Sequence, residues 1–110
     1  MSYIPDKGDI VWVEFNPQKG HEQAGHRPAL VITPYEYNIK TSLAIVAPIT
    51  SKIKGYPFEV KIKGEKIQGV ILADQIKSLD YKARSFIFIE KAHDTAVVEV
   101  LYKLKILLEV

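Results

Sequence analysis

Apolar and polar residues alternate along much of this chain in short runs, a pattern typical of β-strands. Residues 58–63 alternate most clearly, with apolar side chains on one face and charged side chains on the other. Residues 10–15 follow the same period, with Val11 and Val13 on one face and Trp12 on the other. Further runs of strand character are residues 29–33, 43–49, 68–76 and 84–90. The pattern predicts about five or six short strands.

The end of the chain changes to the spacing of an amphipathic helix. Residues 96–110 are predicted to be helical, and Asp94 and Thr95 before them suit the N-cap position. The apolar positions at helical spacing are Val97, Val100, Leu101, Leu104, Leu107 and Leu108. Residues 35–40 are expected to hold a short helical turn, and residues 78–81 a short connector. The fold class is therefore mainly β, a small antiparallel barrel or half-barrel with one helix packed alongside.

A long polar segment separates the first two strand-like runs. It is rich in Gly, Pro, Gln and His, and loops of about a dozen residues in so short a chain tend to be functional or disordered. It carries Glu22, His21, His26 and Arg27. Pro28 fixes its own φ and favours an extended backbone at Arg27, so the guanidinium is expected to start from a defined place. This segment is the candidate functional loop.

The composition predicts one globular domain that spans residues 1–110. The chain is 47% hydrophobic and 25% charged, which is ordinary for a folded domain of this size. It has no cysteine, so disulfides and thiolate metal sites are excluded, which fits a reducing cytoplasm. We expect no signal peptide, no membrane span and a cytoplasmic location, because the N-terminus has no apolar h-region and no apolar run approaches about 18 residues.

Positive charge is concentrated in the middle of the chain. The net charge is +2, yet residues 52–84 hold eight basic residues against four acidic ones. A basic segment of this kind favours a polyanion or an acidic peptide as partner. The alternative is a solvated lysine-rich face with no partner.

The residue types favour phosphate chemistry without a metal ion. The sequence has no HxH, HExxH or DxD metal motif, and it has no GxSxG, P-loop or GxGxxG motif, so we expect no metal and no cofactor. RNA suits an inventory of Arg, Glu, His and Thr because its 2′-hydroxyl supplies the nucleophile. An arginine can hold two phosphate oxygens in a planar fork. Of the two arginines, Arg27 is a better candidate than Arg84, because Pro28 restrains it.

The candidate loop, Gly20-His21-Glu22-Gln23-Ala24-Gly25-His26-Arg27-Pro28-Ala29, resembles the signature loop of the MazF/PemK toxins, the RNA-cleaving halves of toxin–antitoxin pairs. Similar blocks follow in order over nearly the whole chain, at residues 5–13, 48–51, 54–60 and 73–78, before the terminal helix. The resemblance implies an SH3-like barrel that forms a homodimer. It also implies cleavage of single-stranded RNA at short sequence motifs without a metal ion. A cognate antitoxin with an acidic, disordered tail would inhibit the enzyme by binding its positive surface.

The resemblance also implies that Arg27 and Thr50 carry catalysis, and that Glu22 supports activity and orders the loop. An arginine is a poor base at neutral pH, so we favour Arg27 as a clamp on the transition state that can also donate a proton. Glu22 could accept the 2′-hydroxyl proton, although a carboxylate is a weak base unless it is desolvated. Thr50 would donate its hydroxyl to a phosphate oxygen; the alternative is an ordinary turn hydroxyl at a strand end.

Six further residues are predicted to contact RNA: His26, Lys52, Lys54, Tyr56, Gln75 and Lys77. The lysines would bind phosphates, Tyr56 could stack on a base, and Gln75 could recognise a base edge. For each of these residues the alternative is an ordinary surface position.

Two other functions are consistent with a small β-barrel of this kind. One is a CcdB-like inhibitor of DNA gyrase, a class that depends on a Trp-Gly-Ile-type end, whereas this sequence finishes Leu108-Glu109-Val110. The other is a barrel that binds nucleic acid or peptide without turnover. Cleavage of single-stranded RNA in the presence of EDTA would fit only the enzyme.

Overall fold

The computed structural model describes residues 2–16 and 25–109. Within them lie β1 (Asp9–Glu14), β2 (His26–Val31), α1 (Tyr35–Thr41), β3 (Leu43–Thr50), β4 (Glu59–Lys63), β5 (Gln68–Leu72), β6 (Lys77–Asp80), β7 (Ile87–Lys91) and α2 (Asp94–Glu109). The strands pair antiparallel in the order β4-β5-β3-β2-β1-β7, and β6 pairs with the other half of β3. This arrangement confirms the predicted mainly β half-barrel with a C-terminal helix.

Both faces of the central sheet are covered, which explains why β1 is more buried than simple alternation predicts. Ile10, Val11 and Val13 have no exposed surface. Ile10 packs in a core cluster with α2, whereas Val11 and Val13 pack in a second cluster on the opposite face. Trp12, which is on the same face as Ile10, is 37% exposed, because it lies outside the core cluster that packs with α2.

Helix α2 packs against the sheet through residues at helical spacing, as predicted. Its buried side chains are Ala96, Val97, Val100 and Leu104. The helix begins at Asp94, and the His93 carbonyl accepts the Ala96 N–H at 3.0 Å. The prediction that Asp94 and Thr95 precede the helix as its N-cap is therefore wrong, because both lie inside its first turn. No helix within residues 2–16 and 25–109 has the length and apolar character needed to cross a membrane.

The predicted connector at residues 78–81 is wrong, because most of it forms strand β6. Leu43 pairs with Asp80 and Val46 with Lys77. The predicted strand 68–76 ends early, at Leu72, and the chain then turns to reach the other end of β3. Only Leu79 is buried in β6, so too little alternation marks this short strand in the sequence.

The last predicted strand, residues 84–90, also begins later than expected. Strand β7 starts at Ile87, because the preceding residues form a turn in which Asp80 accepts the N–H groups of Lys82 and Ala83, each at 3.0 Å. Phe86 is buried just before the strand. As an edge strand, β7 leaves Ile87 61% exposed.

The β4–β5 hairpin is fastened to β7 by one carboxylate. Glu90 accepts the N–H groups of Glu65, Lys66 and Ile67 at 3.0, 3.0 and 2.8 Å. Burial alone would raise the pKa of Glu90, but the three N–H donors and the nearby Lys66 ammonium outweigh it and hold the pKa below its ordinary value. The tip of the hairpin is thus fixed to the barrel by contacts distant in sequence.

Candidate active site

The register of β2 and β3 brings the two predicted catalytic residues together. Ala29 lies opposite Pro48, so the start of β2 runs beside the end of β3. Arg27 lies two residues before Ala29 in β2, and Thr50 lies two residues after Pro48 in β3. Both are therefore on the same face as that pair and close to each other. Both line one pocket with a volume of about 410 Å³. The two side chains predicted to act on one phosphate therefore share a pocket, and their catalytic roles stay predictions.

The pocket also collects most of the residues predicted to contact RNA. Its lining consists of Arg27, Thr50, Ser51, Lys52, Lys54, Tyr56, Glu59, Leu72 and Gln75. Ser51, Glu59 and Leu72 were not predicted as site residues. Three cations therefore face one carboxylate in the lining, which gives the pocket a positive character suited to a phosphodiester.

Thr50 presents a hydroxyl whose orientation is already determined by the backbone. The residue is only 7% exposed, and its Oγ1 accepts the N–H of Lys52 at 3.1 Å. A hydroxyl has one proton to donate in addition to its acceptor sites. Because the backbone uses an acceptor site, the proton of Thr50 is available to a phosphate oxygen.

Strand β5 passes very close to the backbone of Thr50, and this requires a glycine. Gly69 has φ +144°, and a Cβ at this position would lie 2.3 Å from the Thr50 carbonyl oxygen and 3.2 Å from Ser51 Cα. Only a residue without a side chain allows this approach. Gly69 therefore helps to determine where the end of β3 lies.

The loop between β3 and β4, residues 51–58, is held from both sides. The Glu59 carboxylate accepts the N–H groups of Lys54 and Gly55 at 2.9 and 2.8 Å. From helix α2, the Lys103 ammonium donates to the carbonyls of Pro57 and Glu59 at 2.6 and 3.0 Å. The negative charge of Glu59 is thus directed at backbone donors, and Glu59 acts as an anchor for the loop. The sequence does not indicate this anchor, because the alternation of β4 marks Glu59 only as an outward-facing residue.

Tyr56 offers its ring to the pocket, while its hydroxyl is engaged elsewhere. The hydroxyl donates to Asp74 Oδ1 at 2.8 Å. Burial, together with this hydrogen bond and the charge of Asp74, raises the pKa of Tyr56 to about 12. The phenol is therefore neutral at physiological pH and is unsuited to act as a base there.

Gln75 lines the pocket, but its side-chain oxygen is not exposed there. Its side-chain Oε1 is buried and has no hydrogen-bond partner within the described part of the chain. Buried polar atoms are normally paired, and leaving one unpaired is costly. Because this oxygen is closed to solvent, the amide must turn before Oε1 can accept a hydrogen bond from a ligand in the pocket.

The other predicted site residues are not brought into this lining. His26 precedes Arg27 in β2 and so points to the opposite face; its ring stacks on Trp12 with centroids 6.1 Å apart, and Nε2 lies 3.5 Å from Glu14. Lys77 begins β6 opposite Val46, outside the pocket. The RNA contacts of both residues stay predictions.

Glu22 lies outside the described residues, so its predicted role stays a prediction as well. Among residues 2–16 and 25–109, no group of three or more His, Cys, Asp or Glu side chains could hold a metal ion.

Comparisons with known proteins relate this site to a family. The model of the PemK-like, MazF-like toxins of type II toxin–antitoxin systems matches residues 6–108. The endoribonuclease toxin MazF of Escherichia coli strain K12 is 55% identical over 82 residues, which are 74% of this chain and 74% of that protein. MazF from Deinococcus radiodurans superposes with a TM-score of 0.94 at 45% identity, covering 99% of this chain and 100% of that chain. A MazE–MazF complex from the same organism gives a TM-score of 0.88 at 46% identity, with 98% of each chain covered. The chain therefore belongs to the PemK-like, MazF-like toxins of type II toxin–antitoxin systems.

Proposed function

We propose that this chain is a sequence-specific endoribonuclease toxin that cleaves single-stranded RNA without a metal ion, with the RNA 2′-hydroxyl as nucleophile. The observation that carries the proposal is that Arg27 and Thr50 line one positively charged pocket. The relative from E. coli, which is named an endoribonuclease toxin, supports it at 55% identity.

In the proposed reaction the RNA attacks its own backbone. The 2′-oxygen forms a bond to the adjacent phosphorus, the bond from phosphorus to the 5′-oxygen breaks, and the 2′-hydroxyl proton is removed while the 5′-oxygen gains one. Arg27 binds two non-bridging oxygens of the phosphorane with its planar fork, and Thr50 donates its hydroxyl to one of them. The products are a 2′,3′-cyclic phosphate and a 5′-hydroxyl.

Each proton transfer needs its own group. The Arg27 guanidinium donates a proton to the leaving 5′-oxygen. Glu22 is the proposed acceptor of the 2′-hydroxyl proton. Tyr56 is a poor alternative acceptor, because its pKa is raised to about 12 and its proton is directed at Asp74.

The remaining pocket residues are proposed to hold the RNA on either side of the cleaved bond. Lys52 and Lys54 bind phosphates, the Tyr56 ring stacks on a base, and the Gln75 amide recognises a base edge after it turns toward the pocket. His26 and Lys77 would meet nucleotides outside the pocket.

We further propose that the chain acts in the cytoplasm as a homodimer inhibited by a cognate antitoxin. The MazE–MazF complex of the D. radiodurans relative supports an antitoxin partner. Exposed apolar side chains on β1 and β7 support association with another protein surface; they include Trp12, Ile87 and Phe88, which are 37%, 61% and 47% exposed. An acidic, disordered antitoxin tail would complement the positive pocket.

The function is tested by incubating the purified protein with a long single-stranded RNA of mixed sequence in EDTA. We expect discrete fragments whose new 5′ ends accept phosphate from polynucleotide kinase without prior dephosphorylation, because the reaction leaves 5′-hydroxyls. Fragments with 5′-phosphates would contradict the 2′-hydroxyl mechanism. Intact RNA together with RNA binding would favour the barrel that binds without turnover, and inhibition of DNA gyrase with intact RNA would favour the CcdB-like function.

The role of Tyr56 is tested by two substitutions that separate its ring from its hydroxyl. Tyr56→Phe keeps the ring, and we expect the KM for RNA to stay within about threefold of the wild-type value, because stacking carries the contact. Tyr56→Ala removes the ring and should raise KM about tenfold or more at similar kcat. Steady-state cleavage of one oligoribonucleotide measures both. An equal loss in the two variants would show that the hydrogen bond to Asp74 matters instead of stacking.

A further inference from the structure

A second pocket lies on the other side of the loop formed by residues 51–58. It has a volume of about 410 Å³ and is lined by Ile53, Lys61, Ile62, Lys63, Gln68 and Gly69, and we call it the hairpin pocket. Lys52 and Lys54 face the catalytic pocket, whereas Ile53 between them lines the hairpin pocket. The two pockets are therefore neighbours along this loop.

The two pockets share one face of the β4–β5 hairpin. Side chains alternate along a strand, so Glu59, Lys61 and Lys63 of β4 point the same way. Glu59 lines the catalytic pocket, and the two lysines line the hairpin pocket. On β5, Leu72 lies opposite Glu59 and also lines the catalytic pocket. Gln68 lies opposite Lys63 and lines the hairpin pocket. A continuous surface therefore leads from the catalytic pocket to the hairpin tip.

The positive charges of this surface are not neutralised by ion pairs in the described part of the chain. Lys61 and Lys63 are exposed, and neither forms an ion pair with any residue in the described ranges. Lys91 and Lys103, by contrast, are bound by Asp9 and Glu99 respectively. Two like charges on one strand face repel each other, and an anion between them would relieve the repulsion.

We propose that the hairpin pocket is a substrate subsite that binds the phosphodiester backbone of RNA beyond the cleaved bond. This proposal rests on the proposed function. An endonuclease cuts within a strand, so its RNA must leave the catalytic pocket in two directions. One direction crosses the loop to Lys61 and Lys63, whose ammonium groups bind successive phosphates, while Ile53 contacts a ribose or base. Continuity with the catalytic pocket favours RNA over an acidic peptide as the occupant.

The test compares Lys61→Gln/Lys63→Gln with Lys40→Gln/Lys82→Gln, which removes the same charge from two exposed lysines outside both pockets. Cleavage by each double variant is measured with two substrates, a minimal oligoribonucleotide around the mapped cut site and a version extended on both sides. For the first variant we expect the KM of the extended RNA to rise about tenfold at unchanged kcat, while the minimal RNA is cleaved as by the wild type. The slope of log affinity against log salt, measured with an extended RNA carrying a 2′-deoxynucleotide at the cut site, should fall by about 1.4 for two lost phosphate contacts.

The outcomes separate failure of the subsite from failure of the proposed function. Equal effects of the two double variants, or an unchanged KM and salt slope for the extended RNA, would overturn the subsite while cleavage itself stands. Normal RNA binding with weakened binding of an acidic peptide would assign the hairpin pocket to a protein partner and likewise overturn it. If the wild type cleaves no RNA, the proposed function fails, and salt-dependent binding of long RNA still decides whether the two lysines contact a nucleic acid.

Discussion

The Arg27→Ala variant is expected to fold like the wild type and to lose RNA cleavage, with kcat lowered at least about 10³-fold. Arg27 stands partly exposed at the beginning of β2 and lines the catalytic pocket, so the substitution opens no cavity in the core. It removes the only arginine among the residues that line this pocket in the described part of the chain. Single-turnover cleavage of an oligoribonucleotide, with thermal unfolding measured in parallel, tests this prediction.

Arg27→Lys is the matched control, because it keeps the positive charge and removes the planar fork. We expect it to bind RNA almost as tightly as the wild type but to cleave at a rate much nearer to that of Arg27→Ala, since a point charge cannot hold two phosphate oxygens in the same geometry. Cleavage by Arg27→Ala at the wild-type rate would remove the proposed mechanism. Full activity of Arg27→Lys would reduce the role of Arg27 to charge alone.

The Gly69→Ala variant is expected to be less stable and less active, although residue 69 is outside the lining of the catalytic pocket. The added methyl group would lie 2.3 Å from the Thr50 carbonyl oxygen and 2.9 Å from the Thr50 carbonyl carbon, so one of the two strands must move. The positive φ of +144° adds backbone strain. We expect the free energy of unfolding to fall by about 3 kcal/mol. We expect kcat of the folded protein to fall about 10²-fold, because Thr50 is displaced.

Gly8→Ala separates backbone strain from collision. Gly8 also has a positive φ, +92°, but its new methyl group would meet nothing closer than 3.7 Å and lies away from the catalytic pocket. It should therefore lose stability through strain and retain normal kcat. Urea unfolding and single-turnover cleavage of both variants make the comparison. If Gly69→Ala kept the activity of Gly8→Ala, the close approach of β5 would have no part in placing Thr50.

The parts of the fold that could be predicted were those with long or clear periodicity. Alternation identified β1 and β4, a continuous apolar run identified β3, and helical spacing identified α2, because each of these elements buries several residues. Strand β6 was missed since it buries Leu79 alone and owes its conformation to pairing with β3. Partners distant in sequence determine such a strand, and local pattern does not record them.

The site could be predicted where a motif resembled a family, and not where it depended on long-range contacts. The register of β2 and β3 brings Arg27 and Thr50 together, and the resemblance anticipated the pair without knowledge of the register. The sequence predicts that His26 and Arg27 both lie in one loop. Strand β2 begins at His26, however, so adjacent residues already alternate between faces. Lys103 could not be found from sequence, because it reaches its carbonyl partners from 44 and 46 residues away.

The two anchors of the loop at residues 51–58 affect how the protein meets its substrate. Glu59 restrains the loop through Lys54 and Gly55, and Lys103 restrains it through two carbonyls. The loop consequently loses its conformational entropy when the chain folds, and little further ordering is required in each encounter with a ligand. In the proposed function, more of the attraction between the loop lysines and RNA phosphates then appears as affinity. An RNA of any sequence can also be tested quickly, because the loop does not have to change its conformation to bind it.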